Sequence, residues 1–218
     1  MDHQRRRLLV GSVLGFAAVL PGIGSAAAEL TLTPRQTRGP FYPTRIPLDS
    51  DNDLVIVNGK AGEAKGEIAN VVGQVLDERG KAIDGARIEI WQCDANGRYH
   101  HPWDTRDAPL DLNFQGYGEF TTGADGAYRF RTIKPVPYPG RAPHIHFAVS
   151  VPGTQPLVTQ MYVAGAPENK RDWILNSIRD VRARQSLIVS FKRHANFPGE
   201  LMGNFDIVLA ADGRLSEA

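Results

Sequence analysis

The chain has 218 residues, a formal net charge of +1 and 42% hydrophobic residues. A charge balance this close to neutral offers no basic stripe for nucleic acid and no field for an acidic membrane surface, and the apolar content is that of an ordinary globular protein, neither disordered nor multiply membrane-spanning. With 22 glycines and 15 prolines placed between short apolar runs, the composition favours a turn-rich β protein over a helical bundle.

The first segment reads as an address. His3-Gln4-Arg5-Arg6-Arg7-Leu8-Leu9 precedes an apolar stretch over residues 10–23, and Ser25-Ala26-Ala27-Ala28 follows. A charged start, an apolar middle and a small-residue end make a secretory signal peptide over residues 1–28. The stretch is broken by Pro21 and several glycines, and it is short against the ~20 residues of a spanning helix. Arg5-Arg6-Arg7-Leu8-Leu9 resembles a twin-arginine signal, with a Sec signal as the alternative. Either route predicts a bacterial periplasmic or secreted protein with no membrane attachment after cleavage.

Residues 29–66 read as an irregular N-terminal arm, because 33–43 are rich in Pro and Gly without a helical or strand period and 49–53 are acidic and turn-like. One domain is expected over 67–212. Strand patterns fall at 67–76, 86–91, 127–133, 145–151, 157–163, 186–191 and 204–209, with turns at Asp77-Glu78-Arg79-Gly80, Asp94-Ala95-Asn96-Gly97 and Asp125-Gly126. One amphipathic helix is predicted over 168–184, its stripe formed by Trp173, Ile174, Ile178 and Val181. The fold class is therefore all-β, a β-sandwich with one packed helix and an irregular arm. The single cysteine, Cys93, allows no internal disulfide and reads as a small buried apolar residue.

The residues that carry chemistry come late in the chain. In Pro143-His144-Ile145-His146-Phe147 a strand projects both histidines to one face and Ile145 and Phe147 to the other. Paired imidazoles are half of a metal site, although two unrelated polar residues on a strand face would look the same. Pro135-Val136-Pro137-Tyr138-Pro139-Gly140-Arg141 holds Tyr138 on a stiff loop just before them, and Tyr99 follows the turn at Gly97. Taken singly, either tyrosine could be a half-buried aromatic with its hydroxyl bonded to backbone. Taken as ligands, phenolates are hard anions that suit Fe(III). A free tyrosine ionises near pH ~10, so only a strongly charged metal would hold it ionised at neutral pH.

Gly97-Arg98-Tyr99, Thr132-Ile133-Lys134-Pro135, Pro137-Tyr138-Pro139 and Arg141-Ala142-Pro143-His144-Ile145-His146-Phe147 together resemble the intradiol ring-cleavage dioxygenases, and protocatechuate 3,4-dioxygenase subunits in particular. Gln36-Thr37 with Gly39-Pro40-Phe41-Tyr42, Trp91-Gln92, Thr159-Gln160-Met161-Tyr162 and Phe205-Asp206-Ile207 extend the match over nearly all of the chain after residue 33. The resemblance implies a transthyretin-like (prealbumin-like) sandwich holding non-haem Fe(III) through Tyr99, Tyr138, His144 and His146. It implies a small aromatic diol and O2 as substrates, with the diol bound through both oxygens. Tyr138 would leave the metal and take up a substrate proton. Arg141 would lie beside the ring and Gln160 near the site, with a surface ion pair as the alternative for Arg141 and a polar strand residue facing solvent as the alternative for Gln160. The ring would open between its hydroxyl-bearing carbons to a cis,cis-muconate type diacid containing both oxygen atoms. Family members often pair unlike subunits, so an oligomer of like or unlike chains is expected. His100 and His101 directly follow Tyr99 and read as a solvated loop or as contacts behind the ligands, with a role as extra ligands as the alternative.

The chain departs from the family in one place. Protocatechuate enzymes carry a longer segment between the second tyrosine and the histidines, with a tryptophan soon after the tyrosine; Gly140 stands there in this sequence. The shorter segment implies a more open pocket and a catechol other than protocatechuate. Two other readings share parts of the pattern. A metal-free transthyretin-like binding domain would explain the strands, and a Cu or Zn protein would use His144 and His146 alone.

Overall fold

A computed structural model describes residues 29–211; the expected signal sequence, residues 1–28, lies outside them. Two five-stranded sheets face each other. The first is built on β1 (Ile68–Asp77), which pairs antiparallel with β4 (Ala127–Ile133). It also pairs in parallel with β9 (Leu201–Asn204) and, further along, with β10 (Ile207–Leu209). The two-residue β8 (Lys192–Arg193) adds to β9. The second sheet runs in the order β3 (Tyr117–Thr121), β2 (Arg87–Trp91), β5 (His144–Ser150), β6 (Leu157–Val163) and β7 (Ile188–Val189). Its pairs are antiparallel except β6 with β7.

Period-2 alternation explains the interior. In β4, Tyr128 and Phe130 are buried while Arg129 is exposed. They meet Val71 and Val75 of β1, Ile88 and Ile90 of β2, and Ile145 and Phe147 of β5 in one core. The second sheet is unusual in being covered on its other face as well, and all of β5 except Ser150 is buried. The cover is the arm, held without regular structure by Gln36 N–H on Val158 O at 2.7 Å, Thr159 Oγ1 on Pro34 O at 2.8 Å and Gln160 Nε2 on Thr37 O at 3.0 Å. A smaller cluster fills the gap, with Trp91, Cys93, Tyr99, Tyr117, Ala148 and Val158 buried there. Cys93 is thus a buried residue of this outer layer, and burial pushes its thiol up to about 12.

The expected single helix over 168–184 does not form. In its place stand a 3-10 turn (Pro167–Lys170), α1 (Trp173–Asn176) and α2 (Val181–Ser186). The breaks are Asp172 and Asp180, both in extended backbone. Each accepts two N–H groups of the following turn and so starts a new helix instead of continuing the old one. Ile174 and Ile178 of the predicted stripe are buried, whereas Trp173 and Val181 are 70% and 53% exposed. Because α2 runs through Ser186, the strand expected at 186–191 shrinks to β7. Among the described residues no helix is long and apolar enough to cross a membrane.

β1 crosses the C-terminal segment closely at Gly73, where a Cβ would lie 2.0 Å from Phe205 O. Gly73→Ala is expected to cost about 1–3 kcal/mol or more through overpacking. Gly123→Ala, whose Cβ would meet only Asp125 Oδ1 at 3.8 Å, should stay within about 0.5 kcal/mol of the parent. Urea unfolding midpoints check the pair, and equal midpoints would contradict the close crossing.

Candidate metal centre

His144 opens β5 and His146 follows two residues on, so both side chains leave the outer face of the second sheet. Register sets their neighbours: His146 lies opposite Trp91 on one side and Gln160 on the other, and His144 lies opposite Tyr162. Tyr99 arrives on the loop after β2. Buried Asp94 organises that loop, accepting from Asn96 N at 2.8 Å, Arg98 N at 3.0 Å and Asp111 N at 2.8 Å. Tyr138 is brought by a tight turn in which Arg141 N–H donates to Tyr138 O at 2.9 Å, with Pro139 and then Gly140 at φ +81° in the middle positions, the type II arrangement that needs a glycine there. The two loops touch at Gly97, where a Cβ would come 3.3 Å from Pro137 O and 3.4 Å from Tyr138 Cβ.

The four residues singled out in the sequence converge. His144 Nε2 is 3.2 Å from His146 Nε2, 3.5 Å from Tyr99 Oη and 3.4 Å from Tyr138 Oη. Such separations suit four donor atoms around one ion at bond lengths of about 2.0–2.1 Å. His144 Nδ1 lies 2.6 Å from Ala142 O, which can only accept; Nδ1 therefore carries the proton and Nε2 presents a bare lone pair. Burial, and after it Arg141, lowers His144 to about 3, and burial, His144 and Arg141 hold His146 well below its ordinary value. Both rings are neutral at pH 7, the state a metal ligand requires. Burial raises both phenols, Tyr99 furthest, so a cation is needed to draw off their protons. Among the described residues His146 Nδ1 has no hydrogen-bond partner, and no group of three or more His, Cys, Asp or Glu side chains is placed to hold a metal ion. A metal at this point therefore depends on the phenols.

The surroundings fix the donors. Trp91 stacks on His146 with centroids 4.8 Å apart and planes at 6°, and Phe41 of the arm stacks on Tyr99 at 4.8 Å. Gly39, at φ +69°, passes so close that a Cβ would meet His146 Cε1 at 3.3 Å. Arg141 donates through Nε to Asp172 at 2.9 Å and through Nη2 to Gln160 Oε1 at 2.5 Å. Gln160 is fully buried, not the solvent-facing strand residue its type allowed. A hollow of ≈ 290 Å³ opens beside these groups, lined by Tyr138, Gly140, Arg141, Glu168, Arg171 and Asp172. A larger one of ≈ 450 Å³, at Asp77, Ile83, Val151 and Leu209, sits beyond the far end of β5 and touches none of the four donors.

Two of the nearby residues point elsewhere. His100 Nε2 bonds Asp111 O at 2.9 Å, and His101 Nδ1 accepts from Trp103 N at 3.1 Å. Asp172 was not legible as part of the site, although an aspartate directly before Trp173-Ile174-Leu175 is an N-cap signal. Its carboxylate accepts from Ala142 N at 2.9 Å, Ile174 N at 3.1 Å and Leu175 N at 3.0 Å as well as from Arg141. It thereby fixes the residue whose carbonyl orients His144.

The family described as Dioxygenase matches residues 37–211. The chain is 44% identical to the protocatechuate 3,4-dioxygenase beta chain of Burkholderia cepacia over 80% of this chain and 78% of that one. It is 31% identical to the hydroxyquinol 1,2-dioxygenase of Corynebacterium glutamicum over 96% and 73%. Among solved structures, the dioxygenase domain of a dioxygenase carbohydrate-binding protein fusion from Streptomyces sp. SirexAA-E superposes with a TM-score of 0.63 at 29% identity, covering 83% of this chain and 99% of that one. The catechol 1,2-dioxygenase of Acinetobacter sp. ADP1 gives 0.63 at 25%, covering 85% and 67%.

Burial opposes the charge on Asp172, but the Leu175 and Ala142 N–H groups and Arg141 outweigh it and hold the carboxyl below its ordinary value. Asp172→Ala is expected to cost about 3–5 kcal/mol, since it leaves Arg141 buried and unpaired. A depressed carboxyl contributes fully above its unfolded pKa of about 4 and loses that contribution as pH falls through the folded value. The difference in urea midpoint between the parent and Asp172→Asn should therefore hold steady from pH 7 to about pH 5 and narrow as pH falls below about 4; a pH-independent difference would contradict the assignment.

Proposed function

The chain belongs to the intradiol ring-cleavage dioxygenases, and from that premise we propose that it is an exported iron(III) enzyme whose metal is held by Tyr99, Tyr138, His144 and His146. The observation that carries this reading is the approach of both phenol oxygens and of His146 Nε2 to within 3.2–3.5 Å of His144 Nε2. Two hard anionic oxygens and two nitrogens suit a trivalent iron better than the softer divalent ions. When bound, the iron supplies a Lewis acid that holds the diol and makes its ring reactive toward O2.

The protein's own groups divide the remaining work. Tyr99 is sealed under Phe41 and is 3% exposed, whereas Tyr138 lines the hollow. Tyr138 is therefore the phenol free to give way to an incoming diol and to accept its proton. Arg141 lines the same hollow, and its cation, fixed by Asp172 and Gln160, stabilises negative charge that develops on the ring. A side chain at position 140 would meet nothing within 4 Å. That openness supports a catechol other than protocatechuate, bulkier or differently substituted. Export to the periplasm rests on residues 1–28, and similarity to a protein named as a beta chain supports assembly with like or unlike chains.

Purified mature protein is expected to be wine-red, from charge transfer between tyrosinate and Fe(III), with about one iron per chain. Tyr99→Phe with His144→Ala should be colourless. Arg141→Met should retain the colour and lose about 10²–10³-fold in kcat/KM on catechols. Protein that stays colourless and iron-free after reconstitution would instead favour a metal-free binding sandwich, and turnover of protocatechuate far faster than of any other catechol would overturn the substrate reading.

A further inference from the structure

The loop that leaves Tyr99 folds back over the donors. Asp104, buried at 3% exposure, accepts the Tyr99 N–H at 2.7 Å on Oδ2. The same carboxylate grips Arg106 as a fork, with Nε on Oδ1 at 2.7 Å and Nη2 on Oδ2. The guanidinium so held turns toward the donors, although the side chain as a whole is 26% exposed. Its central carbon stands 4.4 Å from the ring centroid of Tyr138 and 5.6 Å from that of Phe41, which itself stacks on Tyr99. Nη1 of Arg106 is buried with no partner among the described residues. One ion pair thus grasps the backbone of one phenol and covers the ring face of the other.

A guanidinium over an aromatic face is attracted by the ring quadrupole, more so where water is excluded, and far more by a ring that carries a full negative charge. The fork geometry matters because a bidentate arginine cannot slide away as an exposed lysine would. Arg106 has no contact with the hollow that takes the diol, so its effect has to pass through Tyr138.

We propose that Arg106, locked by Asp104, is a positioning residue that presses on the Tyr138 ring, draws on its electrons, and so makes Tyr138 the weaker and more readily displaced of the two phenolate donors. This rests on the reading of Tyr138 as an iron ligand. Tyr99, whose ring meets Phe41 instead, receives no such cation and stays in place. Exchange of the diol for Tyr138 is then favoured at one defined position, and the arginine stays over the Tyr138 ring while that residue takes up the diol's proton.

The test is made on iron-loaded protein. Removing the cation raises the energy of the Tyr138 electrons, so Arg106→Met is expected to move the tyrosinate-to-iron absorption to longer wavelength at unchanged iron content. It should also slow the spectral change on anaerobic addition of catechol by roughly 3–30-fold, the range that a desolvated cation–ring contact supports. Arg106→Lys should recover most of the band position and less of the rate. Arg106→Gln serves in place of the methionine variant if that variant does not fold. A band and an exchange rate identical to the parent's in the charge-free variants would overturn the proposal even if stability falls, because a purely structural arginine would move only stability. Parent protein that binds no iron at all would refute the underlying metal reading instead, so the two failures are told apart.

Discussion

A strand in the middle of a sheet has two faces, and β5 buries both. Its inner face meets an ordinary apolar core through Ile145 and Phe147. Its outer face carries His144 and His146, which cannot be left dry without partners. Every other part of the site answers that constraint. The arm closes over the outer face, Trp91 stacks on one imidazole, the Ala142 carbonyl accepts the Nδ1–H of the other, and the two tyrosine loops bring oxygens to its Nε2. The buried polar groups point at one another with no proton shared well between them. The His146 and His144 Nε2 atoms, 3.2 Å apart, repel unless one is protonated or a cation joins them.

Support for the donors comes in layers that are electrostatically consistent. Asp172 is the negative centre behind Arg141, and Asp104 the negative centre behind Arg106. Each arginine is paired before it approaches the donors, so its charge is fixed in place instead of being attracted away by solvent. The positive charge of Arg141 helps keep the histidines neutral and opposes the rise of the Tyr138 phenol that burial causes. The same field therefore favours bare imidazole and ionised phenol together, the combination that a highly charged metal needs.

Much of this was written in local pattern. The alternation of β4, the His-x-His spacing of β5 and the turn before Tyr99 are properties of a few adjacent residues, and they led to the right elements and to four side chains that do meet. The features that were not legible depend on tertiary structure. β3 has Gly118 and Glu119 at its centre and no apolar alternation of its own; it exists because β2 offers an edge and because Gly118 lets the backbone at Asp51 come close. The apolar periodicity over 168–184 was real, but two aspartates used their side chains as caps and divided it, a competition between side chain and backbone that a periodicity count does not weigh. The reach of Asp172 to Arg141 and of Arg106 to the Tyr138 ring crosses from one loop to another, and the residues on either side do not announce those contacts.

The arm that lies across β6 has one further consequence. A wall supplied by a separate subunit is present only in proportion to that subunit's abundance and affinity. A wall tethered to the sheet it covers is present at an effective concentration set by the connecting chain, on the order of millimolar for short flexible links. The residues that close over His146 and Tyr99, Gly39 and Phe41, belong to the same chain as those donors. That closure is intramolecular, so its population is unaffected by dilution, and whatever assembly the protein forms, this side of the donor cluster is already in place before any second chain arrives.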